Sequence, residues 1–83
     1  MADINDVRAL RAARTEFSKR GVDITRCDIR MHHGILHVRG AVSVAKGSFI
    51  KDLKTEVEHI GRILRQKAEI RDVVIDCQYL AGY

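Results

Sequence analysis

The sequence contains no proline and no tryptophan, and aromatic residues make up only 5% of it. These absences, together with 31% charged residues, exclude a collagen-like chain and argue against a disordered one. No apolar run approaches the roughly 18 residues of a membrane span, and the first residues lack the apolar segment of a signal peptide. We therefore expect a cytoplasmic protein, which would be periplasmic only if a leader segment had been removed.

The 83 residues, of which 46% are hydrophobic, provide for one domain with one core. A deep enzymatic cleft is difficult to build in a domain of this size. No serine or cysteine stands beside a histidine and an acid in a recognisable nucleophilic arrangement, and paired carboxylates are lacking. We expect a protein that is not an enzyme. The net charge of +4 is compatible with an anionic partner without requiring one.

The segment 27–42 predicts a β-hairpin with a two-residue turn at His33-Gly34. This turn places Met31 opposite Leu36 and Asp28 opposite Arg39, so that one register produces an apolar face and a polar face together. The predicted strands are 26–32 and 35–42. The residues assigned to the core face are Cys27, Ile29, Met31, Leu36, Val38 and Val42, and those assigned to the other face are Asp28, Arg30, His32, Ile35, His37 and Arg39.

Apolar residues three or four positions apart predict helices over 3–20 and 48–67, and alternation predicts a strand over 70–79. The apolar stripes are Ile4, Val7, Leu10, Ala13 and Phe17 in the first helix, and Ile50, Leu53, Val57, Ile60 and Leu64 in the second. We predict Asp3 and Ser48 as N-caps and Gly21 as the end of the first helix. Gly61 indicates close packing of the second helix. Gly40 indicates a bulge or a close backbone approach, and the expected neighbour is a helix.

A helix between the second and third strands makes those two strands parallel, whereas the hairpin is antiparallel. Both amphipathic helices require the single apolar face of the sheet. The predicted fold is therefore an α/β (α+β) two-layer sandwich, in the order αββαβ, with a three-stranded mixed sheet covered on one face by two helices.

The chain resembles the BON domain, a small bacterial αββαβ module, over nearly its whole length. The residues that carry the resemblance are the spaced run Met31, Gly34, Leu36, Val38, Gly40 and Val42, and the closing segment 70–74. Glu69 and Ile75 depart from the family pattern. The resemblance implies a non-enzymatic module associated with phospholipid or membrane surfaces, with envelope stress response proteins and with protein assemblies.

Cys27 and Cys77 fall at inward strand positions, which favours two free core thiols. A disulfide would require their strands to be neighbours. His32 and His37 are diagonal neighbours in the predicted register, which makes a two-histidine metal site conceivable, but no further ligand completes it. We predict no metal and no cofactor.

Two surfaces are candidates for binding. The predicted lipid-binding or anion-binding residues are Arg8, Arg11, Lys19, Lys51, Lys54, Arg62 and Arg65. The predicted protein-interaction face, through which a homodimer is plausible, consists of Arg30, Ile35, His37, Arg39 and Val74. A KH-like domain that binds RNA or single-stranded nucleic acid is an alternative, although neither a two-glycine clamping loop nor paired sheet aromatics are present.

Overall fold

The computed structural model describes residues 4–80 and places two helices on one face of a mixed β-sheet. The elements are α1 (Ile4–Lys19), β1 (Val22–Asp23), β2 (Cys27–His32), β3 (Ile35–Val44), α2 (Leu53–Arg65) and β4 (Asp72–Tyr79). The predicted two-layer sandwich is confirmed. The sheet differs from the prediction by a fourth strand, because β1 lies in the segment expected to be a plain connection. Asp3, the predicted cap of the first helix, lies outside the described residues.

Strand β3 is the centre of the sheet. It pairs antiparallel with β1 and β2 along one side and parallel with β4 along the other. The predicted hairpin register is confirmed, with Met31 opposite Leu36 and Asp28 opposite Arg39. The turn has the expected geometry, because His33 (φ 51°) and Gly34 (φ 80°) both have positive φ angles.

The core lies between the sheet and the helices. Its largest fully buried side chains are Phe17, Leu36, Val38, Val42, Val57, Ile60 and Leu64. Helix α1 contacts β1 and β2, whereas α2 contacts β4, and the two helices contact each other. Within residues 4–80, no helix covers the opposite face of the sheet.

The predicted stripe of α1 is wrong in its first half. Ile4 and Val7 are 66% and 42% exposed, whereas Ala9 and Ala13 are fully buried with Phe17. The two alanines allow close approach of the helix, so the buried face turns toward the small residues and away from the larger apolar ones. The spacing of apolar residues does not predict this rotation, because alanine favours a helix without indicating which face of the helix is buried.

Helix α2 begins five residues later than predicted, at Leu53. Asp52 is its N-cap, and its carboxylate accepts hydrogen bonds from the Thr55 backbone N–H (3.3 Å) and hydroxyl (2.9 Å). The predicted cap, Ser48, instead donates its hydroxyl to the carbonyl oxygens of Gly21 and Ala45, at 2.9 Å each. Residues 48–51 therefore belong to a loop.

Close packing at the two predicted glycines has different origins. A Cβ atom on Gly61 would lie 3.0 Å from Ile75 Cδ1, which confirms the tight contact between α2 and the sheet. At Gly40 the expected helix neighbour is wrong. The atoms that crowd this position are the Arg26 carbonyl and Cys27 Cα, where the chain enters β2, and the φ angle of +106° is one that glycine accommodates best.

We predict that Gly40→Ala lowers the free energy of unfolding by about 3 kcal/mol or more, because positive-φ strain adds to a clash with the Arg26 carbonyl. The matched control is Gly47→Ala, where φ is +85° but no atom lies within 4 Å of the new Cβ, and where we expect a loss of about 1–2 kcal/mol. Urea denaturation measures both. Equal losses would contradict the crowding at Gly40.

Candidate functional site

The loop of residues 45–52, which joins β3 to α2, is tied to the end of α1. The Ala45 N–H donates to the Gly21 carbonyl (2.8 Å), and the Ser48 hydroxyl donates to the same oxygen (2.9 Å). The Ser48 N–H closes a turn on the Ala45 carbonyl (3.0 Å), with Gly47 at a φ of 85°. These bonds hold the loop beside the carboxyl end of α1.

Phe49, in the middle of this loop, is fully exposed, with a relative accessibility of 103%. Its neighbours are held inward, since Ser48 is hydrogen-bonded to Gly21 and Ile50 packs against the core. A phenylalanine side chain stabilises a fold by about 1.5–3 kcal/mol when it is buried, so this ring contributes none of that energy to the domain. Sequence reasoning missed Phe49. The available signal was a large apolar residue outside the stripe that begins at Ile50.

Four lysines accompany Phe49. Lys46 and Lys51 are exposed in the loop, and Lys54 is exposed in the first turn of α2. Lys19, also exposed, lies two residues before Gly21, to which the loop is bound. We refer to Phe49 with these four lysines as the lysine end. Segment 45–54 contains one acidic residue, Asp52, whose carboxylate is engaged as the helix cap.

A groove of about 300 Å³ between α2 and β4 collects three of the predicted anion-binding residues, Lys54, Arg62 and Arg65. Its other lining residues are Glu58, Ile75 and Tyr79. The Arg65 guanidinium is already engaged, because it donates to Asp72 Oδ1 (3.0 Å) and to the Val73 carbonyl (2.7 Å). The Arg65 hydrogen bond also holds the pKa of Asp72 below its usual value. Arg65 therefore joins α2 to β4.

The remaining predicted anion-binding residues, Arg8 and Arg11, are exposed on α1. Eleven residues separate Arg8 from Lys19 in this helix, which corresponds to about 16 Å along the axis. The predicted set is thus divided. Lys19, Lys51 and Lys54 belong to the lysine end, while Arg8 and Arg11 lie farther along α1.

The predicted interaction residues are brought together on the helix-free face of the sheet. Arg30, His37 and Val74 form one row across β2, β3 and β4, and Ile35 and Arg39 flank His37 along β3. Val74 is 43% exposed. The face carries charges of both signs, since Arg30 Nε lies 3.0 Å from Asp28 and Arg39 stands between Asp28 and Asp76.

The histidine cluster contains a ring contact but no complete ligand set. The His32 and His33 rings meet edge to face, with centroids 4.4 Å apart. Within residues 4–80, no group of three histidine, cysteine or acidic side chains is placed to hold a metal ion.

The two cysteines flank Gly40, with Cys27 on β2 and Cys77 on β4. The Cys27 thiol donates to the Ala41 carbonyl (3.1 Å), and the Cys77 thiol donates to the Val38 carbonyl (3.3 Å). Because β3 separates their strands, the Cα atoms are about two strand spacings, roughly 10 Å, apart, which exceeds the reach of a disulfide. The structure therefore excludes a disulfide between Cys27 and Cys77, which the sequence alone did not decide. Burial raises the pKa of both thiols, that of Cys77 to about 12.

No family model, curated protein or solved structure matches this chain. None of the helices in residues 4–80 is both long and apolar enough to cross a bilayer. The resemblance to the BON domain accordingly stays a prediction from the sequence.

We predict that the protein loses stability as the pH rises from 9 toward 12, through deprotonation of Cys77 in the unfolded chain. The folded-state pKa, about 12, lies above the ordinary value of 9.0, so the stabilising contribution is complete below pH 9 and declines above it. Urea denaturation at pH 8 and pH 10.5 measures this loss. In Cys77→Ala the slope should be shallower, and an unchanged slope would contradict the assignment to Cys77.

Proposed function

We propose that this protein is a non-enzymatic module that docks reversibly on anionic phospholipid surfaces through its lysine end, or joins an envelope-associated assembly at such a surface. The observation that carries the proposal is the fully exposed Phe49 among four lysines. An aromatic ring suits the interface between headgroups and acyl chains, and lysines are attracted to anionic headgroups. The resemblance to the bacterial BON domain points in the same direction.

The expected affinity is modest. Each lysine contributes about 1 kcal/mol near an anionic surface, and insertion of a phenylalanine ring adds about 2 kcal/mol. Together they correspond to a dissociation constant between roughly 1 mM and 1 μM. This is the range of a single lipid anchor, which gives reversible attachment and requires a second signal for stable residence.

The charge and the ring have separate roles in this proposal. The lysines select the surface, because a neutral membrane offers them no attraction. Phe49 supplies an apolar contribution that salt does not screen. The sequence predicts a cytoplasmic protein, and the surface we propose is accordingly the anionic cytoplasmic leaflet.

We predict that the protein sediments with phosphatidylglycerol-containing vesicles at low salt and not with pure phosphatidylcholine vesicles. Phe49→Ala should weaken binding about thirtyfold, because the contribution of about 2 kcal/mol from the inserted ring is lost. Lys46→Glu with Lys51→Glu should abolish it. The matched control is Arg8→Glu with Arg11→Glu, which alters the net charge equally on two exposed residues away from the lysine end.

If both double variants lost binding equally, net charge and not the lysine end would govern attachment. Equal sedimentation of the unchanged protein with both vesicle types would overturn the proposal altogether. A gel shift with single-stranded RNA distinguishes the nucleic-acid alternative. Salt-sensitive RNA binding that disappears with Lys46→Glu and Lys51→Glu would assign the same lysines to RNA instead.

A second candidate function is association between copies of this chain through the helix-free sheet face. It is favoured by the exposed Val74, a diagonal neighbour of Ile35, and by the alternation of charge along Asp28, Arg39 and Asp76. Light scattering at millimolar concentration should give a dimer that Val74→Glu dissociates. Only a monomer mass at that concentration would eliminate this candidate.

A further inference from the structure

The two thiols approach the central strand from its two sides. Each sulfur leans onto β3, as shown by its hydrogen bond to a β3 carbonyl, Ala41 for Cys27 and Val38 for Cys77. The residue of β3 between them is Gly40, which pairs with both cysteines and has no side chain to separate them.

The pair is open to reagents in solution. Both cysteines are half-buried and free, and Gly40 is exposed. The strand spacing excludes a disulfide between the two cysteines unless the sheet rearranges. Disulfide formation therefore does not compete with metal binding by these thiols. A metal ion relaxes this restriction, because two metal–sulfur bonds of about 2.3 Å span about 4.6 Å between the sulfurs.

We propose that Cys27 and Cys77 form a two-coordinate site for a thiophilic metal ion, Cu(I) or Hg(II), held over Gly40. Two thiols with no third ligand suit an ion that is satisfied by two soft donors. Binding replaces two S–H protons. With Hg(II) the products are a neutral dithiolate complex and two protons, and with Cu(I) they are a complex of charge −1 and two protons.

The residues around the two cysteines determine which of the candidate ions should bind more tightly. Apolar side chains pack around the cysteines, and the nearby Asp23 and Asp76 carboxylates oppose added negative charge on the sulfurs. A neutral complex is therefore favoured, so Hg(II) should bind more tightly than Cu(I). Zn(II) prefers four ligands, and residues 4–80 offer no group of three to supply them. It should therefore bind weakly.

The test is an anaerobic titration of the reduced full chain with Hg(II), Cu(I) and Zn(II), followed by ultraviolet charge-transfer absorbance and native mass spectrometry. The expected result is one Hg(II) or Cu(I) per monomer, with two protons lost. Cys27→Ser and Cys77→Ser should each weaken Hg(II) and Cu(I) binding at least 100-fold. The matched control His32→Ala with His33→Ala should bind as the unchanged protein does.

Three results would overturn the site: two ions bound per chain, metal-bridged dimers, or single-cysteine variants that retain affinity within tenfold. Circular dichroism verifies that each variant is folded. Should a serine variant unfold, the amide resonance of Gly40 in the unchanged protein provides the second measurement. It should shift stoichiometrically with Hg(II), and an unmoved resonance at full occupancy would exclude a site over Gly40.

Discussion

The structure depends on the pairing of β3 along both of its edges in a fixed register. The His33-Gly34 turn sets the register with β2, and the β4 pairing continues it from Ile35 to Val42. A slip of one residue would move Leu36 and Val38 from the buried face to the exposed one. Both helices, which cover the same face, would then lose the apolar surface against which they pack.

The candidate surfaces are consequences of this central strand. Its carboxyl end at Val44 leads into the loop that is hydrogen-bonded to Gly21 and displays Phe49. Its one glycine, Gly40, pairs with a cysteine on each of the two neighbouring strands. Its outer side chains, His37 and Arg39, form the middle of the helix-free face. Scaffold and proposed function thus occupy different residues of the same framework.

The sheet was predictable because alternation and a two-residue turn constrain each other. Once the two turn residues are known, counting outward from them gives each pair of opposing residues in the hairpin. The parallel pairing of β4 follows from the helix between β3 and β4. The buried side of α1 was not predictable in the same way. Ala9 is buried because its small size permits close approach, a property of the neighbouring surface that hydrophobic spacing does not contain.

The loop before α2 was missed for a related reason. Ser48 and Asp52 are both residue types that favour the N-cap position. Asp52 is the cap because the Ser48 hydroxyl donates its hydrogen bond to the Gly21 carbonyl instead. That partner lies 27 residues away. If Ser48 were the cap, Phe49 would be the first residue of the helix. The sequence therefore shows that Phe49 lies outside the apolar stripe, but its full exposure follows only from the tertiary structure.

The measurement that tests the functional account most directly uses the absence of tryptophan from the chain. Phe49→Trp introduces a single tryptophan at the proposed point of membrane contact. On phosphatidylglycerol vesicles its emission should shift to the blue and be quenched by lipids that carry a quencher near the headgroup. Emission that stays at the wavelength of a solvated tryptophan, on vesicles to which the protein is bound, would contradict the insertion of this loop.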